Sequence, residues 1–147
     1  MPGNMLALFL ALISGVLMAL QGTLNAALSK VIGLIEATFF VHLTGTLALL
    51  VVIFVLRKGN GNWGALFAAP WYTWLGGIVG VFIIYLVAAS IPKVGVSSAT
   101  TAIIVGQVLT AIIFDYFGAV GLEKLHIGWN HFAGLLFLAV GAKLLLR

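Results

Sequence analysis

Tyrosines apart, His42 is the one ionisable side chain that lies well away from the ends of the apolar runs in this chain. An imidazole there can hold or release a proton near neutral pH. It can equally stay neutral and hydrogen-bond a neighbouring helix. Glu36 stands six residues earlier. Six helical residues advance about 9 Å and rotate about 600°, which leaves the two side chains about 120° apart on different faces. As an intramembrane acid, Glu36 would carry protons or cations. As a first-turn residue after a turn at Gly33, it would be held by the helix dipole close to the headgroups.

Ser14, Met18, Gln21 and Asn25 fall on one helical face. Lipid penalises such polar groups, so the stripe is expected to face other helices or a cavity. Gln107 lies at the middle of a later run, Asp115 about a turn from its end, and Tyr85 near the middle of the run before it. Each of the two glutamines suits a polar substrate or a second helix. Tyr85 suits a cationic or aromatic substrate, or packing with its hydroxyl bonded. Asp115 has the rival role of a helix-end acid paired with Lys124. Glu36, His42, Gln21, Asn25, Tyr85, Gln107 and Asp115 are therefore the candidates for a substrate or proton pathway.

These residue types support binding and proton exchange rather than bond-making. Glu36, Asp115 and Glu123 are the only carboxylate side chains and sit on separate elements. No His-Glu-x-x-His run, Gly-rich phosphate loop or Ser-His-Asp arrangement can be placed. Cysteine is absent, which excludes disulfides and thiolate metal sites. Neither a cofactor nor a metal is expected, and an enzyme is disfavoured.

The elements that must position these residues are membrane spans. Of 147 residues, 63% are hydrophobic and 7% charged, with a mean hydropathy of +1.27. A soluble domain of this size needs a charged surface. Five apolar runs, Met5–Leu28, Ile35–Leu56, Tyr72–Ile91, Val96–Phe117 and Ile127–Leu146, each approach the about 20 residues that cross a bilayer core. The fold class is an all-α membrane protein, a single domain over residues 1–147 with five transmembrane helices. The runs are continuous rather than alternating, which excludes a β-barrel. The first run lacks a basic leader and reads as a retained span. Tiny loops suit an inner membrane.

Short turns are expected around Ser29, Lys30 and Gly33, and at Lys93-Val94-Gly95 after Pro92. Trp63, Trp71, Tyr72 and Trp74 read as an interfacial anchor. Gly15, Ala19, Gly22 and Ala26 form small-xxx-small pairs in the first run, and Gly76 with Gly80 forms a GxxxG pair. Gly134 and Gly141, seven apart, share a face of the last run.

Two stretches carry a resemblance. One is Gln21-Gly22-Thr23-Leu24-Asn25-Ala26 with Gly45-Thr46-Leu47-Ala48-Leu49. The other is Gly106-Gln107-Val108-Leu109-Thr110-Ala111, then Asp115-Tyr116-Phe117-Gly118, then Gly134 and Gly141. They resemble the drug/metabolite transporter superfamily, and most closely its YdcZ-like branch of five-helix proteins. Gly134-Leu135 and Gly141 are also similar to the dimerisation face of the small multidrug resistance proteins. Those relatives carry an essential glutamate in their first helix; here the first span has no acid, so their acid-centred antiport does not carry over. The resemblance implies a transporter-type fold that is half of a larger inverted-repeat arrangement.

Charge distribution gives that implication a physical form. With the N-terminal side called A, Arg57, Lys58 and Lys124 fall on side A, and Lys30, Lys93, Lys143 and Arg147 on side B. Orientation normally follows a Lys/Arg excess on the cytoplasmic side, and three against four is almost none. Five spans put the two termini on opposite sides, so a second copy in inverted orientation would complete an inverted repeat with a midplane site. The expected partners are membrane lipid, that second copy and a small-molecule substrate. A nucleic acid is not expected, since the net charge of +4 comes from helix ends rather than a basic face. The expected function is secondary transport, by proton exchange, of a small polar or cationic compound by an antiparallel homodimer. The rival readings are one half of a heterodimeric transporter, a non-transport membrane subunit, and a lipid-handling protein.

Overall fold

A computed structural model describes residues 2–59, 61–119, 124 and 126–146. Glu123 and Arg147, both weighed above, lie outside the described residues. Five α-helices follow one another: α1 Pro2–Ile32, α2 Leu34–Leu50, α3 Leu75–Val94, α4 Val96–Phe117 and α5 Trp129–Leu145, with no strand among the described residues. The chain divides into two compact units, Met1–Pro92 and Lys93–Arg147.

In the first unit, α1 runs past the expected end at Leu28. Ser29 does not break it, because its hydroxyl donates to the Ala26 carbonyl at 2.9 Å and stays satisfied within the helix. The reversal into α2 takes a single residue, Gly33, at φ 97° and ψ 157°, a region essentially reserved for glycine. Its N–H donates to the Ser29 carbonyl at 3.1 Å, and its carbonyl accepts from the Ala37 N–H at 3.0 Å. One residue thus ends one helix and starts the next.

The helix α2 continues as a π turn, Val51–Val55, closed by the Leu56 N–H on the Val51 carbonyl at 3.0 Å. Together they make a 22-residue apolar span, Leu34–Val55. It stops at Arg57, whose φ of 49° is left-handed. Arg57 and Lys58 lie at its negative dipole end. Two 3₁₀ turns follow, Trp63–Ala68 and Trp71–Trp74. Phe67 and Trp74 meet edge-to-face at 5.9 Å between ring centroids. The α-helical part of the third span therefore begins at Leu75 rather than Tyr72.

The expectation that Pro92 ends the third span is corrected: α3 passes through it to Val94. Pro92 removes one backbone donor in the last turn, a local loss. Helix α3 stops before Gly95, whose backbone takes a glycine conformation. That residue has φ 84° and ψ 161° and accepts the Ala99 N–H at 3.1 Å. It repeats the Gly33 elbow almost angle for angle. The small residues of α1 expected to pack do so at Gly22 and Ala26, both buried. A Cβ at Gly22 would lie 2.8 Å from Val87 Cγ1 and 3.1 Å from Ile91 Cδ1 of α3.

In the second unit, α4 spans Val96–Phe117, as the sequence predicts, and packs against α5. The helix α5 starts at Trp129, two residues later than expected. His131 holds that start: its Nδ1 accepts the Gly128 N–H at 3.2 Å. With 17 residues, α5 is about 25 Å long against a hydrocarbon core of about 30 Å. It is an apolar helix shorter than the four long spans.

Buried apolar residues among those described are small with one exception, Ala26, Ala37, Ala88, Ala99, Ala142 and Ile91. Large ones such as Phe9, Phe39, Phe54, Phe82 and Phe137 are exposed. This is the pattern of helices packed through small residues with lipid as the solvent.

Candidate functional site

The polar stripe of α1 forms one open face, bounded by that helix alone. Ser14, Leu17, Met18, Gln21, Leu24 and Asn25 line an open groove of about 500 Å³. Helical periodicity brings them together, as the sequence predicts. Ser14 is already satisfied, its hydroxyl donating to the Ala11 carbonyl at 2.8 Å. Asn25 is 6% exposed, while Gln21 is exposed. Among the described residues neither carboxamide has a hydrogen-bond partner. No fully buried side-chain polar atom among them is left without one either. The free carboxamide atoms of Asn25 therefore reach accessible surface, and the residue is among those that line the groove.

His42 is half-buried about 12 Å into α2. Its Nδ1 lies 2.8 Å from the Thr38 carbonyl oxygen. A carbonyl only accepts, so Nδ1 carries the hydrogen. Nε2 is then a lone-pair acceptor in the neutral ring and a donor in the cation. It faces Gly80 of α3, where a Cβ would stand 3.9 Å away. A Cβ there would meet the imidazole in ordinary van der Waals contact, so the ring does not require glycine at this position. Its GxxxG partner Gly76 has nothing within 4 Å. Thr38, buried and bonded through its hydroxyl to the Leu34 carbonyl at 2.8 Å, is the residue that anchors the ring. Any residue at that place supplies the same backbone carbonyl, so no sequence signal marked it.

Glu36 occupies the first turn of α2. Its carboxylate folds back over Gly33, where any Cβ would collide with it. The negative charge lies against the positive end of the helix. Glu36 and His42 are not brought together.

Tyr85 is half-buried in the middle of α3. In the second unit, Gln107 is exposed along α4 and Asp115 is half-buried two residues before the helix ends. Gly134 and Gly141 of α5 have nothing within 4 Å of a built Cβ. A cavity of about 200 Å³ between α4 and α5 is lined by Ile112, Tyr116, Phe117, His131 and Phe132, among others. Its apolar walls offer a polar molecule little. Among the described residues no group of His, Asp and Glu could hold a metal ion.

The arrangement therefore supplies hydrogen-bonding sites along four long apolar helices, and no reacting constellation. No curated protein and no solved structure matches the chain. A family model does, over residues 6–144, and its description reads "Putative inner membrane exporter, YdcZ". With nearly the whole length matched, the chain belongs to this YdcZ family of the drug/metabolite transporter superfamily, whose description is that of an inner-membrane exporter.

Proposed function

We propose that this member exports a small polar compound through the α1 groove in exchange for protons, as an antiparallel pair of identical chains. The observation that carries the reading is the pair of unpartnered carboxamides, Gln21 and Asn25, among the residues that line one open face of α1. Such groups are costly in lipid and belong where something polar passes. His42 Nε2 supports the proton part, as the free ring atom of a histidine fixed deep in α2. Glu36, folded against its own helix start, is the weaker proton candidate. Tyr85 is the further candidate in the first unit, and Gln107 and Asp115 are the candidates in the second. The near-equal basic residues on the two sides support dual insertion, with α5, Gly134 and Gly141 at the contact between copies.

The test is electrical recording on reconstituted protein across a panel of small polar compounds under a proton gradient. A neutral compound exchanged for a proton still moves charge. Currents should appear with at least one compound and be lost in Asn25→Leu. Currents that Asn25→Leu leaves intact would sink the groove as the pathway. A reporter fused to the C-terminus should be found on both sides of the membrane, and a strictly single orientation would remove the homodimer.

A further inference from the structure

We infer that the start of α4, Gly95–Ser98, binds a phosphate group presented at the membrane face. The two glycine elbows of the chain differ in what stands over the glycine. After Gly33 the third helical residue is Glu36, whose carboxylate folds back over the glycine at the positive end of α2. At Gly95 the backbone takes nearly the same angles. There the third helical residue is Ser98, and the first turn of α4 holds no acid. A Cβ built on Gly95 meets nothing within 4 Å. The chain supplies its own anion at the first elbow and none at the second.

Hydrogen-bond donors gather at that second start. The first bond of α4 runs from the Ala99 N–H to the Gly95 carbonyl. The N–H groups of Val96, Ser97 and Ser98 precede it and are the helix's unpaired donors. No side chain caps them. Ser98 is 6% exposed, and its hydroxyl has no partner among the described residues. Cα–Cβ bonds in a helix tilt toward its N-terminus, which aims this hydroxyl back at the elbow. A buried hydroxyl without a partner is costly, and a phosphate seated on the N–H groups gives it an acceptor. The helix dipole favours the same charge.

Charge and depth agree. Lys93, two residues before Gly95, is exposed, and Lys143 lies in the last turn of α5. The acidic side chains of this unit, Asp115 and Glu123, come near or beyond the other end of α4. Gly95 alone separates the spans Trp71–Val94 and Val96–Phe117, so the elbow lies at headgroup level. A phosphate reaches it either on an anionic phospholipid or free in solution.

The test titrates the full chain in detergent with phosphatidylglycerol and counts retained lipid by native mass spectrometry. One lipid per chain should bind with an affinity that falls about tenfold in Ser98→Ala, the worth of a hydrogen bond to a charged group. Lys93→Ala should weaken it about fivefold. Ser98→Glu gives the second elbow the carboxylate of the first and should abolish binding. Ser98→Ala removes a single oxygen, so it still reports where the glutamate variant fails to fold. A second arm adds millimolar inorganic phosphate. Displacement of the lipid assigns the site to phosphate in either form, and retention assigns it to the headgroup. Lipid binding unchanged in Ser98→Ala and Lys93→Ala overturns the site, as does the absence of any retained lipid or phosphate.

Discussion

The Nδ1 atom of His42 and the carbonyl oxygen of Thr38 lie 2.8 Å apart, one helical turn from each other. This bond commits one ring nitrogen to α2 and leaves the other free of it. Asparagine can keep the committed half, because its carboxamide nitrogen occupies much the position of Nδ1. His42→Asn should therefore fold as wild type does and lose proton-driven transport by roughly tenfold or more. Transport by the variant with an unaltered pH profile would exclude Nε2 as the proton carrier.

Gly33 and Glu36 are coupled. Gly33→Ala forces an L side chain into a glycine-only conformation and into the Glu36 carboxylate. It should cost about 1–3 kcal/mol. In a Glu36→Ala background the same substitution should cost less, because the collision is gone and only the backbone strain remains. Unfolding titrations of the four proteins of this cycle measure the difference, and strict additivity would mean the carboxylate does not sit over Gly33.

Gly22 and Gly15 make a contrasting pair on α1. Gly22→Ala should destabilise the first unit by about 1–3 kcal/mol through overpacking, since its Cβ would press on Val87 and Ile91. Adding Val87→Ala should return part of that loss. Gly15→Ala meets nothing within 4 Å and should stabilise α1 by up to about 1 kcal/mol through helix propensity. Equal effects of the two alanines on thermal unfolding would contradict the α1–α3 packing.

The groove was legible because Ser14, Met18, Gln21 and Asn25 obey helical spacing, and lipid leaves polar side chains few other places to go. Gly33 and Gly95 were legible as turns, but their economy was not. Whether Ser29 or Pro92 breaks a helix depends on the cost of one hydrogen bond against a longer buried backbone, a balance that residue type does not reveal. The neighbour of Gly80 was also hidden, because GxxxG spacing signals close approach without saying of what: here it is the His42 ring. In the last run, Ile127 and Gly128 carry no apolar signal that separates loop from helix, so α5 proved shorter than the hydropathy suggested.

The elbow at Gly33 has a kinematic meaning. Two rods joined through one residue cannot slide along each other; they can only swing about the joint. With α2 and its π turn about 33 Å long, a swing of about 10° carries the far end through about 6 Å, the width of a small solute. Opening is then greatest at the end of the hairpin remote from Gly33 and negligible beside it. Any passage that α1 and α2 form must widen like a wedge, mouth first.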